Sequence, residues 1–388
     1  MINLANRMNR LGTETAFEVL AKAKKLEAEG KNIIHLQIGE PDFNTPSNIT
    51  EAGKKAIDDG YTGYNPSAGY DELKEQIKIY SKNIRSYEFD KDQVVITSGG
   101  KPIMFYTMLA LINPGDEVLY PNPGFPIYES MINFVGGKAV PLKLEEKLGY
   151  NFDIDKVESL INENTKLIIL NSPNNPCGSA IDAKSMSKLA NILENKNITI
   201  LSDEIYSQFL YEGSHSSISN HKILSSKTII LDGFSKSYSM TGWRIGYGIF
   251  PKELVDPITK LVTNSNYCTA SFTQIAAIEA LKGSQESVSK MVNEFKSRRD
   301  LIVDGLNNIK NISCPKPSGA FYVFPNITKT GLSSESFANR LLEENGVATL
   351  SGESFGEEGK GYIRISFANS KENISEALNR IEDFVNKL

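Results

Sequence analysis

Cysteine, histidine and tryptophan are all scarce in this chain of 388 residues, which carries three, three and one of them. Cys177, Cys268 and Cys314 are odd in number and far apart. That argues against a disulfide framework or a zinc knuckle and suits a reducing, cytoplasmic setting. His35, His215 and His221 have no carboxylate at ligand spacing, so neither a metal site nor histidine-based catalysis is expected. His35, inside NIIHLQIG, reads as a partly buried strand residue. Positive charge is not in excess: 42 Lys and Arg against 47 Asp and Glu leave a net charge of −5. With no basic run or basic aromatic patch, nucleic acid is not the expected partner. The N-terminal MINLANRMNRLGTETAFEVL lacks a signal-peptide core and no run reaches membrane-spanning length, so neither export nor a membrane partner is expected.

What is present is a soluble globular composition, 40% hydrophobic and 23% charged, in a chain long enough for two domains. Short apolar runs recur through the middle: VVIT (94–97), EVLYP (117–121), KLIIL (166–170), ITILSD (198–203), TIILDG (228–233) and RIGYGIF (244–250). Helix-like stretches such as KPIMFYTMLALI and SMSKLANILENK lie between them, which predicts an α/β fold with a mostly parallel central sheet sandwiched by helices. After about Leu281 the pattern changes to a long charged helix, SQESVSKMVNEFKSRRDLIVDGL, followed by AFYVF, a helix, YIRIS and a closing helix. Ile374, Leu378, Ile381 and Val385 form one apolar stripe on that last helix. The expected division is a large α/β domain over 46–284 and a smaller α+β domain from 1–45 and 285–388, with an N-terminal arm.

In an open α/β sheet, ligands bind beyond the carboxyl ends of the strands, so the residues following each strand matter most. VVIT is followed by Ser98, Gly99, Gly100 and Lys101 and then a helix, whose free amides suit a phosphate. EVLYP is followed by NPGF, placing the Phe125 ring at the sheet's mouth, although a lone phenylalanine there is more often core. KLIIL is followed by NSPNNPCG, a proline-fixed turn able to aim Asn175 inward. ITILS is followed by Asp203 and then Tyr206; Asp203 alone could equally be a helix N-cap. TIILDG leads to Ser235 and Lys236, with Arg244 soon after. A phosphate cradle, a ring platform, a buried acid, a phenol and a lysine together describe a site for pyridoxal 5′-phosphate.

DGFSKSYSMTGWRIG resembles the lysine signature of the class I/II aminotransferases, the fold-type I pyridoxal-phosphate enzymes. LQIGEPDF, YNPSAG, SPNNPCG, SDEIY and YIRIS fall in that family's order over nearly the whole chain. The resemblance implies that Lys236 is the Schiff-base lysine and proton carrier, that Asp203 pairs with the pyridine nitrogen, and that Tyr206 and Asn175 bond its phenolic oxygen. It further implies that Phe125 stacks on the ring and that Ser235, Arg244 and the amides near Gly99, Gly100 and Lys101 hold the phosphate. Tyr64 matches the tyrosine that reaches the neighbouring subunit's phosphate, implying a homodimer with shared sites. Arg364 matches the clamp for the substrate α-carboxylate, helped by Asn175 and the backbone of Gly39; an arginine on a strand could otherwise be an exposed ion pair.

Substrate choice is the finer question. Lys101 matches a lysine associated with the distal carboxylate in a prokaryotic aspartate aminotransferase subgroup, which favours L-aspartate with 2-oxoglutarate. Three departures weaken that match: Ala16 stands, beside Thr15, where a threonine is expected, Cys177 replaces the turn threonine, and Phe125 replaces a frequent tryptophan. An aromatic, alanine or broad-range aminotransferase would share every catalytic residue and differ around Phe17, Ile38 and Lys101. A β-lyase of the same fold and an aminotransferase-like sensor of a transcription regulator are the remaining alternatives.

Overall fold

The computed structural model describes residues 2–85 and 87–388. Its strands are β1 (Ile34–His35), β2 (Val94–Thr97), β3 (Glu117–Asn122), β4 (Lys138–Glu145), β5 (Asn151–Phe152), β6 (Thr165–Asn171), β7 (Thr199–Asp203), β8 (Thr228–Gly233), β9 (Gly246–Ile249), β10 (Tyr322–Val323), β11 (Val347–Ala348), β12 (Leu350–Ser351) and β13 (Ile363–Ser366). Eight of them form one sheet in the order β2-β9-β8-β7-β6-β3-β4-β5. The run from β8 to β4 is parallel, whereas β9 is antiparallel to both neighbours and β5 to β4.

Unbroken apolar runs become central strands because both faces of this sheet are covered. Successive residues go to opposite sides: Val94 and Ile96 pack with Leu73, Ile77 and Ala276, while Val95 packs with Ile103, Met108 and Val262. Leu167 and Ile169 share that second layer, and Ile168 and Leu170 meet Met186 and Leu189 of the helix Ala183–Leu193.

Two boundaries differ from the sequence reading. The strand expected at 244–250 begins at Gly246, because Arg244 adopts a positive φ of 53° in the turn before it. β4, which the apolar-run reading does not include, is half exposed along its length and carries Pro141. On the side away from β3 it is paired only at Leu144 and Glu145, so residue 141 has an open edge where a missing N–H is tolerated.

The remaining strands make two small sheets, β10-β13-β12 and β1-β11. They pack with the helices Glu286–Asn308, Ser334–Asn345 and Lys371–Val385 around Phe295, Phe321, Phe337 and Phe384. Ile374, Ile381 and Val385 are buried on the last helix and Leu378 is partly so; Ala377 and Phe384 join the same face. Gly305 lets that face approach, since a Cβ there would sit 2.3 Å from Leu378. Near the N-terminus, the turn Asn6–Arg10 lies against the helix Ile127–Val135, with Arg10 Nε donating to the Asn133 carbonyl at 2.7 Å. Ile34 and Leu36, by contrast, belong to the Phe295 cluster.

Candidate active site

The parallel strands end at one edge, and a cavity of about 490 Å³ opens there. Lys236 follows β8 by three residues, its amine donating to the Gly39 carbonyl at 2.6 Å. Burial pulls its pKa down to about 8, against the pull of the Glu40 carboxylate and with that of the Arg364 charge. The rings of Tyr206 and Phe321 lie 6.0 and 5.9 Å from the amine.

Asp203 closes β7 and is buried without a cation paired to it among the described residues. The Tyr128 hydroxyl donates to it at 2.5 Å, and the Ile205 amide at 3.3 Å. Burial pushes its pKa up to about 6 despite the bond from Tyr128. Next to it, Glu204 turns the other way. It accepts from Arg85 Nε at 2.5 Å and from Ser217 at 2.5 Å, and meets His215 at 2.7 Å. Burial works against its charge, but Arg85 and His215 outweigh it and hold the carboxyl well below the usual range. Arg85 also pairs with Asp232 of β8, which accepts from Tyr247 at 3.1 Å.

Arg364, on β13, is buried; its Nη1 donates to Asn175 Oδ1 at 3.1 Å and its Nη2 to the Gln37 carbonyl at 2.5 Å. The guanidinium lies 4.5 Å from the Tyr322 ring centroid and 4.9 Å from that of Phe355. Its buried Nε has no partner among the described residues. The SPNNPCG turn is braced by Asn171, whose Oδ1 accepts from the Asn175 amide at 2.9 Å. Cys177 is buried in that turn, its amide donating to Asn174 at 3.0 Å.

Gly99 has φ 92°, and a Cβ there would sit 2.4 Å from Arg244 Nη2, so the glycine makes room for the guanidinium. Arg244 is fixed by donation to the Thr241 carbonyl at 2.7 Å and the Ser98 carbonyl at 3.3 Å. Gly100 begins the helix Lys101–Leu111 with no side chain capping it. Ser235, Gly100 and Arg244 line the cavity around that helix start.

Gly39, Lys101, Phe125, Asn175, Asp203, Tyr206 and Lys236 also line it; Gly99 and Tyr64 do not. The Gly99 amide is engaged by Thr97 at 2.8 Å, and Tyr64 is 86% exposed with its ring 4.8 Å from that of Tyr267. Lys101 pairs with Glu14 and lies 5.7 Å from the Phe125 ring centroid. Sequence reasoning missed Glu14, Tyr128 and Tyr322. The Tyr322 hydroxyl shares a 2.8 Å hydrogen bond with that of Tyr206 and fills the space a Cβ on Gly39 would need. Their signals were faint: a phenol three residues after Phe125, an acid beside Thr15, and the second aromatic of AFYVF.

The donor set fits pyridoxal phosphate. The uncapped helix start with Ser235 and Arg244 suits its phosphate, Asp203 lacks only a cation, and Phe125 offers a flat face. Comparison with known proteins agrees. The family described as aminotransferase class I and II matches residues 31–381. An aspartate aminotransferase of Pyrococcus horikoshii is 40% identical over 98% of this chain and 96% of its own length. A (5-formylfuran-3-yl)methyl phosphate transaminase of Methanocaldococcus jannaschii is 41% identical over 99% of this chain and 100% of its own. The crystal structure of the aspartate aminotransferase from Rhizobium meliloti superposes with a TM-score of 0.96 at 32% identity, covering 100% of both chains. The chain therefore belongs to the class I and II aminotransferases, pyridoxal-phosphate enzymes that pass an amino group between an amino acid and a 2-oxo acid.

Proposed function

We propose that this aminotransferase exchanges the amino group of L-aspartate with 2-oxoglutarate, yielding oxaloacetate and L-glutamate. The observation that carries the reading is Lys101, a second cation lining the same cavity as the buried Arg364. Two cations suit the two carboxylates of a short dicarboxylic amino acid.

When bound, pyridoxal phosphate supplies a carbonyl that condenses with amines and a ring that takes up the electron pair released at the substrate Cα. Lys236 is the proposed proton carrier. An amine with a pKa near 8 is partly neutral at physiological pH, so with cofactor and substrate bound its Nζ could take the Cα proton. Asp203 would keep the ring nitrogen protonated: an ionised carboxylate without a cation favours any proton-bearing group placed against it. Tyr206 and Asn175 would bond the ring's phenolic oxygen. Phe125 would stack on the ring, while Ser235, Arg244 and the backbone at Gly100 and Lys101 would hold the phosphate; Gly99, its amide engaged by Thr97, would serve by making room for Arg244. Arg364, with Asn175 and the Gly39 backbone, clamps the α-carboxylate, and its unpartnered Nε supports that role.

The proposed division is a large domain, 46–284, and a small one from 1–45 and 285–388. The packing of Ile34 and Leu36 in the Phe295 cluster supports it, although residues 6–12 lie against the helix Ile127–Val135. A homodimer follows from Tyr64, whose exposed ring would serve the partner's phosphate rather than its own. An equilibrium sedimentation mass of one chain would overturn that reading.

A second reading, a donor with an uncharged side chain, is favoured by the acid already paired with Lys101 and by the apolar lining from Ala16, Phe17 and Ile38. A screen of amino donors against 2-oxoglutarate decides between them. Aspartate should show the highest kcat/KM; alanine or phenylalanine ahead of it would overturn the aspartate assignment.

A further inference from the structure

The proposed cation for the distal carboxylate is not free: Lys101 Nζ is ion-paired with Glu14. The two partners are held differently. Lys101 opens a helix of 11 residues and is half exposed, so its backbone is fixed and its ammonium stays hydrated. Glu14 lies on an irregular stretch and its side chain is 19% exposed. The next residue is anchored, with Thr15 Oγ1 donating to Ser354 Oγ at 2.8 Å. Glu14 can therefore leave Lys101 by rotating its own side chain, without moving the chain. Its charge faces inward, where it is felt by Lys236, Arg364 and Tyr322.

The resulting charge balance bears on substrate choice. An amino acid with an uncharged side chain brings one carboxylate, for Arg364, and leaves the Lys101 pair intact. A dicarboxylate brings a second negative charge to a wall that is already neutral. That carboxylate must take Glu14's place on Lys101, exchanging one acid for another and leaving Glu14 to find water.

We propose that Glu14 is a specificity-determining residue, a displaceable counter-ion that lets the pocket take uncharged side chains with the pair closed and dicarboxylates with it open. This rests on Lys101 serving the distal group. Because the pair is partly solvated, the handicap on dicarboxylates is modest, about fivefold.

The test uses the dimer-competent, cofactor-loaded protein with three variants: Glu14→Gln, Glu14→Asp and Lys101→Ala, plus the Glu14→Gln/Lys101→Ala double variant. Titration calorimetry gives the Kd of succinate, an unreactive dicarboxylate, and stopped-flow absorbance gives single-turnover kcat/KM for aspartate and alanine. Glu14→Gln should tighten succinate and raise kcat/KM for aspartate about fivefold while alanine stays within about twofold. Glu14→Asp should behave as wild type, and in the Lys101→Ala background Glu14→Gln should have no effect on succinate. An unchanged succinate Kd in Glu14→Gln, aspartate and alanine moving together, or an effect that persists without Lys101 would overturn the proposal. The aspartate assignment fails separately. A wild type that prefers alanine, with Glu14→Gln shifted toward aspartate, overturns that assignment and supports the role of Glu14; a wild type that prefers aspartate, with an unchanged ratio in Glu14→Gln, does the reverse.

Discussion

Asp203 and Glu204 are consecutive, both buried, and differ in what the fold sets against them. Asp203 faces the cavity with a phenol and an amide but no cation, and its pKa rises to about 6. Glu204 faces away, toward Arg85, His215 and Ser217, and its pKa falls. The next strand repeats the division: Asp232 joins Arg85 behind the sheet, and four residues later Lys236 enters the cavity with its pKa lowered by burial. On the far side Arg85 sits between two carboxylates and serves the fold, while burial still holds the Asp232 pKa up and Arg85 Nη1 has no partner among the described residues. On the cavity side the charges are left incomplete, and the proposed binding of cofactor and substrate would complete them.

The largest effect that tests this contrast is Lys236→Ala. Turnover should fall about 10⁴-fold, the upper range for a positioned proton-transfer group, with urea stability little changed. Normal turnover by that variant would remove Lys236 from the reaction. On the far side, Arg85→Met should cost about 3 to 5 kcal/mol in urea unfolding, because two buried carboxylates lose their cation. A variant that kept its stability but lost kcat would erase the distinction between the two sides.

Arg364→Ala should lower kcat/KM about 10²-fold for every amino donor alike, since the α-carboxylate is common to all, as expected for truncating one partner of a buried pair. A loss confined to dicarboxylates would place Arg364 at the distal end instead. The smallest and most diagnostic effect is in the cofactor-free protein. Folding raises the Asp203 pKa from its ordinary value of 3.8 to about 6, so the folded state binds a proton that the unfolded chain releases. That contribution to stability is full below about pH 4 and is lost as pH rises through 6. Asp203→Asn should therefore stabilise cofactor-free protein at pH 7.5 by up to about 3 kcal/mol, while damaging transamination. Equal stability at that pH would mean that Asp203 already has a cation partner.

The sheet and much of the lining of the candidate site were legible because central strands are apolar throughout and the residues following them are polar, glycine or proline. β4 escaped because Pro141 and a half-exposed face break both the apolar-run and the alternation signals. Asp203 was ambiguous as a candidate cap until its burial was seen, and nothing in DELKEQIKIYSKNIR marks its final residue, Arg85, as fully buried. Glu14 and Tyr322 illustrate the limit more sharply. Glu14 meets a partner 87 positions away and Tyr322 one 116 positions away. Such roles arise from tertiary proximity, which neither residue type nor local spacing encodes.

The bond from Arg364 to the Gln37 carbonyl joins residues 327 positions apart, and β1 is paired to β11 across a similar interval. A ribosome would release most of this polypeptide before the proposed α-carboxylate clamp and its support could meet. The sheet that carries Lys236 can form earlier, from segments already synthesised, but closing so long an interval is slow. Competence for the proposed catalysis is thus a late event in the life of the chain, and loss of the last few dozen residues would remove the arginine proposed to orient an amino acid.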